Sequence, residues 1–461
     1  MPSRQDQLHS YQFTVQRAVA ALVMRETDPA QSPFRRLAGA GLASVLVAAI
    51  GLGAFALYGL FAGGGNGWRD PGAVIVEKES GARFVYREQK LHPVRNYASA
   101  LLIVGADRSR TVLVSRRSID GVPRGLPLGI ADAPDSLPAP GRLAGGAWTV
   151  CSATPAGADR EQPRSALLIG TEGGGGRPLG DDALLLRDPD GGLHLVWHQR
   201  RYLLRDPSRV LAALAATPAR AVPVAPALLN SLPAGADLAP LAVPGLGRRS
   251  AGVPGAAIGQ VFLVRNSGGG RQYAVALDSG LAGITELQAG LLLARTGQGE
   301  PEPMTLGRFA ALPTVPDLAP TGPSAPPPAP PRLAATDDAA LCARVGDDSG
   351  AAQVRVGVPL PDLAAAPRTA PVGGAVLADH VMVQPGRGAV VEAAAAPGAS
   401  GGAVSVVTDL GRRYVLPDRE VLGMLGYHDV RPLRLPAGLV SLVPAGATLD
   451  PAAARAVAAP A

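Results

Sequence analysis

The sequence predicts a β-rich α+β protein, in which one transmembrane helix carries an extracytoplasmic region made of a central β domain and four repeat modules in quasi-twofold order. Three observations predict it. The run Leu37 to Phe61 is apolar and free of charge, segments of the chain match one another in alternating order, and the only two cysteines stand at nearly the same offset as those segments. With 461 residues, 47% of them hydrophobic, the chain is long and apolar enough for several packed cores.

The first 36 residues read as a cytoplasmic segment. Leu8, Tyr11, Val15, Val19 and Leu22 recur at helical spacing and lay one apolar stripe along an amphipathic helix. No neighbouring sequence in this segment can cover the stripe, so it is expected to dock against a partner; a helix resting on the lipid surface is the alternative. The next segment, 37–62, is longer than the ~20 residues that cross about 30 Å of hydrocarbon. A cleaved signal peptide fits poorly, because a long polar segment precedes the run and its apolar core is too long. Arg4, Arg17, Arg25, Arg35 and Arg36 precede the span, which places the N-terminus in the cytoplasm and 63–461 outside.

Within 63–461 the stretch from Gln199 (QRRYLLRDPSRVLAAL) matches that from Gly411 (GRRYVLPDREVLGML). Beyond it, Leu228, Pro233, Ala234, Gly235, Leu238 and Pro240 face Leu439, Pro444, Ala445, Gly446, Leu449 and Pro451 at one constant offset. A second pair joins the stretch from Gly81 (GARFVYREQKLHPVRNYASALLI) to that from Gly270 (GRQYAVALDSGLAGITELQAGLLL). Each unit reads as two short strands and a helix, giving modules at about 75–105, 184–240, 258–295 and 403–454. The intervening 106–183 and 296–402, with Val-rich strands such as Thr111 to Val114 and Gln353 to Val358, are assigned to the central domain. Pro313 to Pro331 reads as an extended, solvated linker.

Cys151 and Cys342 occupy equivalent places in the two halves. Outside the membrane thiols oxidise, so a disulfide joining the halves is the economical reading; two free buried thiols are the alternative. Neither flank supplies a further Cys or His at ligand spacing, so no metal site is expected.

Composition excludes other classes. Charged residues are 17% and aromatics 4%, too sparse for nucleic-acid binding despite a net charge of +6. Three scattered tryptophans give no sugar-binding platform. The only lysines, Lys78 and Lys90, follow Glu77 and Gln89 rather than a glycine turn, so a Walker A loop is absent, and the Gly173 to Gly176 and Gly268 to Gly270 runs read as turns. Ser400, Asp418 and His428 stand in G-x-S-x-G spacing and nucleophile order, but VEAAAAPGAS before and AVSVV after are the wrong context for a nucleophile elbow. His194 and His198 would share one strand face, without a third ligand. No catalytic residues are assigned.

The chain also carries RQDQLHSYQFTVQR, HPVRNYASALLI, GLPLGIADAP, WTVC around Cys151, HLVW from His194, LNSLPAG, LQAGLLL and LGYHDVRPLRLP, in that order. In these it resembles the EccB family, a membrane core component of the type VII (ESX) secretion system of actinobacteria, over essentially its whole length. The resemblance implies an elongated extracytoplasmic part with a Cys151–Cys342 disulfide. It implies an assembly role with EccC, EccD, EccE, the mycosin protease and other EccB copies, in the inner membrane, supporting export of small helical proteins. No cofactor is expected. The family is sometimes labelled an ATPase, so ATP hydrolysis is the alternative, carried by that label alone.

Overall fold

A computed structural model describes residues 3–24, 33–62, 66–107, 109–155, 162–171, 174–265, 268–336, 339–363, 368–369 and 373–458. Arg25, Gly173 and the side chains of Arg35 and Arg36 lie outside the described residues.

Helix α1 covers Arg4–Met24 and helix α2 covers Pro33–Ala62, with proline in the first turn where its missing N–H costs nothing. The stretch Leu37–Ala56 of α2 is apolar and wholly exposed. At 1.5 Å per residue its 20 residues match the ~30 Å bilayer core.

The modules form four four-stranded sheets with one strand order: third, second, first, fourth. In the first, Ala73–Glu77, Arg83–Arg87 and Lys90–Pro93 form an antiparallel meander. Helix Tyr97–Val104, capped by Asn96, then crosses over so that Arg110–Val114 joins parallel to the opening strand. The same path is taken by Leu184–Arg187 through Val222–Pro223, by Val261–Arg265 through Glu302–Thr305, and by Ala389–Ala394 through Leu433–Pro436. Three sequence boundaries are thereby corrected. The modules placed at 75–105, 258–295 and 403–454 each miss a strand, and Thr111 to Val114 belongs to the first module rather than the central domain. The reason is the crossover: a parallel edge strand arrives after a helix, and alternation alone does not say which sheet it joins.

A proline and the leucine five positions later line the third strand of every module. Pro123, Pro233, Pro313 and Pro444 accept from Leu91, Arg201, Leu281 and Arg413, while Leu128, Leu238, Leu318 and Leu449 donate to Pro93, Leu203, Gly283 and Val415. Proline offers only a carbonyl, which suits it to an edge of this kind.

The central sheet has six strands in the order His380–Val383, Arg164–Ile169, Trp148–Ala153, Leu341–Val345, Ala352–Val356 and Arg177–Pro178. Two hairpins meet antiparallel at its middle, with Cys151 directly opposite Cys342. The helices Pro226–Ser231 and Ala437–Val440 touch each other above it, and Trp148, Val150, Leu167, Leu228, Leu341 and Leu439 fill the core between. The first and fourth modules share a core of Leu101, Leu102, Val406, Tyr414, Leu422 and Leu449. The second and third share Leu211, Leu214, Leu287 and Leu291, with helix Glu286–Thr296 approaching Ala213 at Gly290.

The Pro-rich stretch is a pinned strap rather than a solvated linker. The amides of Val315 and Leu318 donate to the third module, and Ala325 accepts the Tyr202 hydroxyl of the second at 2.9 Å. Pro328 accepts the Leu287 amide, and Arg332 accepts that of Ala183. Proline carbonyls and the amides of the residues between the prolines share this work, which counting missing proline N–H groups cannot foresee.

Candidate functional site

Two apolar surfaces stand out. On α1, Leu8, Tyr11, Val15 and Leu22 are exposed and Val19 is half-buried. Exposed Phe13, with the Arg17 guanidinium 6.0 Å from its ring centre, adds an aromatic residue that the stripe reading omits. The apolar stretch of α2 is likewise uncovered. A helix face this apolar and this exposed costs free energy in water and gains it against lipid or another protein.

The Cys151–Cys342 bridge has an S–S distance of 2.02 Å and links the two hairpins across the middle of the sheet. Both cysteines are buried, among Ala166, Leu168, Val358 and Leu363, so the bond is shielded from solvent reductants.

The remaining polar groups clamp the fold. Glu392, buried in the fourth module, pairs with Arg419 and lies 4.0 Å from Arg434, which also reaches Asp348 at 3.1 Å. Asp182 pairs with Arg332 at 2.6 Å, tying the strap to the second module. The Ser80 hydroxyl and the Arg116 guanidinium beside Glu77 hold its carboxyl below the usual carboxylate range.

Two Arg-Tyr pairs have matching environments. The Nε atoms of Arg201 and Arg413 donate to the Leu232 and Val443 carbonyls, and the Tyr202 and Tyr414 rings lie against Gly235 and Gly446. Burial pulls both guanidinium pKa values down and pushes both phenol values up. A side chain at either glycine would meet the tyrosine ring at about 2.2 to 2.3 Å, which explains the Gly that the sequence match places there.

The structure separates the other candidates. Ser400 sits in the loop before Ala403–Val407, Asp418 accepts from the Val421 amide at the start of a helix, and His428 pairs with Asp429 at 2.9 Å. His194 lies on its strand with Nε2 3.0 Å from Asp188, whereas His198 leaves the strand at a left-handed turn (φ 43°) and faces Asp181. The shared strand face expected for these histidines is therefore not formed. Among the described residues no group of three or more His, Cys, Asp or Glu is placed to hold a metal. The carbonyls of Gly175 and Gly176 are taken by Arg355, and Lys78 and Lys90 sit in a turn and at a strand start.

The family described as type VII secretion system ESX-1, transport TM domain B, matches residues 1–459. The ESX-2 secretion system ATPase EccB2 of Mycobacterium tuberculosis (strain ATCC 25618 / H37Rv) is 34% identical over 50% of this chain and 47% of its own, so the match spans about half that relative's length. The ESX-3 secretion system ATPase EccB3 of Mycolicibacterium smegmatis (strain ATCC 700084 / mc(2)155) is 29% identical over 96% of this chain and 88% of its own. Among solved structures, a chain of an intact ESX-5 inner membrane complex is similar with a TM-score of 0.65 and 26% identity, covering 100% of this chain and 96% of that one. A chain of an EccB3 dimer from the ESX-3 core complex gives 0.63 and 26%, covering 83% and 100%.

Proposed function

We propose, from the premise that this chain belongs to the EccB family of type VII secretion membrane proteins, that it is a structural and assembly subunit of an ESX complex in the inner membrane. One observation carries the reading: two neighbouring helices, α1 and α2, expose apolar side chains that no other described residue covers, in a fold similar end to end to a chain of an ESX-5 inner membrane complex. In this reading α2 spans the bilayer with the N-terminus in the cytoplasm. The stripe Leu8, Tyr11, Val15, Val19 and Leu22 docks on other core subunits, of the EccC, EccD and EccE kind, and the exported modules join further copies and the neighbouring mycosin protease. The role supports export of small helical proteins and uses no cofactor; ATP enters only through the names of relatives.

Topology is tested by thiol labelling. With the native cysteines held in their disulfide, single cysteines at Ser10 and Ser400 are treated in intact cells with a membrane-impermeant reagent. Labelling at position 400 and protection at position 10 are expected, and labelling at position 10 alone overturns the orientation.

A further inference from the structure

The chain path dictates which end of the first module meets the membrane. Helix α2 ends at Ala62 and the turn Asn66–Arg69 begins four residues on, so at about 3.5 Å per residue the module starts within roughly 15 Å of the end of that helix. Trp68 in this turn is buried and meets Tyr86 edge-on at 5.4 Å, which fixes the turn against the sheet. The Asp70 carbonyl accepts the Ala73 amide and that of Gly72 accepts the Arg110 amide, so the turn lies where the first and fourth strands begin. The meander brings the hairpin tip Arg87 to Lys90 to the same end, since Tyr86 pairs with Leu91 and Val85 with Val74.

This end carries Arg69, Arg87, Lys90 and Arg110, all exposed, and Arg455, whose guanidinium lies over the end of helix Tyr97–Val104 beside Gly105. Among the described residues three carboxylates stand against these five cations. Asp70 is paired with Arg110 at 2.6 Å, Glu88 sits in the hairpin turn, and Asp107 leans on Gly423 of the fourth module. The opposite end sets Lys78, Arg83, Arg116 and Arg117 against Glu77, Glu79 and Asp135, with Arg116 tied to Glu77 at 3.1 Å and Arg83 to Asp135 at 2.9 Å.

We infer that the α2-proximal end of the first module is a docking surface for anionic phospholipid headgroups, read by Arg69, Arg87 and Lys90. The inference rests on α2 spanning the bilayer. Each exposed cation held at an anionic surface contributes about 1 kcal/mol, a factor of roughly five, and the attraction is screened by salt. The surface orients the first module above the membrane.

The test uses the full chain in vesicles of phosphatidylcholine, with or without phosphatidylglycerol, doped equally with a nickel-chelating lipid. A nitroxide is attached through Gln89→Cys at the hairpin tip or Lys78→Cys in the turn at the opposite end, and its collisions with the nickel headgroup are measured. In phosphatidylglycerol vesicles position 89 is expected to collide several-fold more often than position 78. That excess falls to the phosphatidylcholine value in high salt and in Arg87→Glu/Lys90→Glu. Equal rates at both positions overturn the proposal, as does an excess at 89 that ignores phosphatidylglycerol and the charge reversal. Flotation of the vesicles reports separately on α2: a chain that fails to float with lipid contradicts the spanning reading instead.

Discussion

Cys151→Ser in the full chain is expected to lower the unfolding free energy of the extracytoplasmic body by about 5 kcal/mol, the loss from opening a loop of 191 residues in the chain-entropy model. The cost is large because the closed loop is long, and the bridge stands where the two central hairpins pair, Trp148–Ala153 against Leu341–Val345. Without it, that antiparallel pair depends on ladder hydrogen bonds and the core above it. For a body of this size the change corresponds to a fall in melting temperature of about 5 °C. Cys151→Ser and the double change with Cys342→Ser should melt within a degree or so of each other, because either removes the same bond. Thermal melts of the detergent-solubilised chain, with and without reductant under denaturing pretreatment, check this. A single variant as stable as the parent would show that the bridge does not secure the two hairpins.

Tyr202→Ala and Tyr414→Ala are each expected to cost about 3–5 kcal/mol, the range for deleting a buried aromatic ring, and to cost nearly the same. Their rings fill matching places, one in the core shared by the second and third modules, the other in that shared by the first and fourth. They differ in one respect: only the Tyr202 hydroxyl reaches the strap, at Ala325. Tyr202→Phe should therefore leave global stability within about 0.5–1.5 kcal/mol of the parent, the range for one net hydrogen bond, yet speed proteolytic cutting between Pro313 and Pro331. Tyr414→Phe should leave that cutting unchanged. Denaturant unfolding and limited proteolysis separate the two effects, and a strap equally resistant in all variants would contradict its pinning by Tyr202.

Features written in local pattern were legible from residues alone. The membrane run announces itself through uninterrupted apolarity, the meanders through short alternating strands, and the Cys151–Cys342 pairing through equal offset in a compartment that favours oxidation. What escaped depends on long-range geometry. Arg110–Val114 alternates as any strand does, and only the crossover helix assigns it to the edge of the first sheet. Nothing local says that Leu102 packs with Tyr414, far along the chain, because both residues are apolar and each would fill any core. The strap misled for a chemical reason: its prolines advertise lost donors, while Pro313 and Pro328 serve as acceptors. His198 misled because a left-handed turn takes it off the strand that carries His194. On α1 the stripe was visible as periodicity, but Phe13 lies off that period and its exposure needed coordinates.

Recovering the full chain from native membranes through an affinity tag, and identifying what accompanies it, tests the assembly role most directly. Other ESX core components and further copies of the chain are expected to co-purify. Val15→Asp, which sets a charge into the apolar stripe at a cost of several kcal/mol in any docked interface, should lose the partners held by α1 while remaining in the membrane fraction. A chain recovered alone from native membranes would contradict the assembly role, and a Val15→Asp chain that keeps its full set of companions would contradict docking through α1.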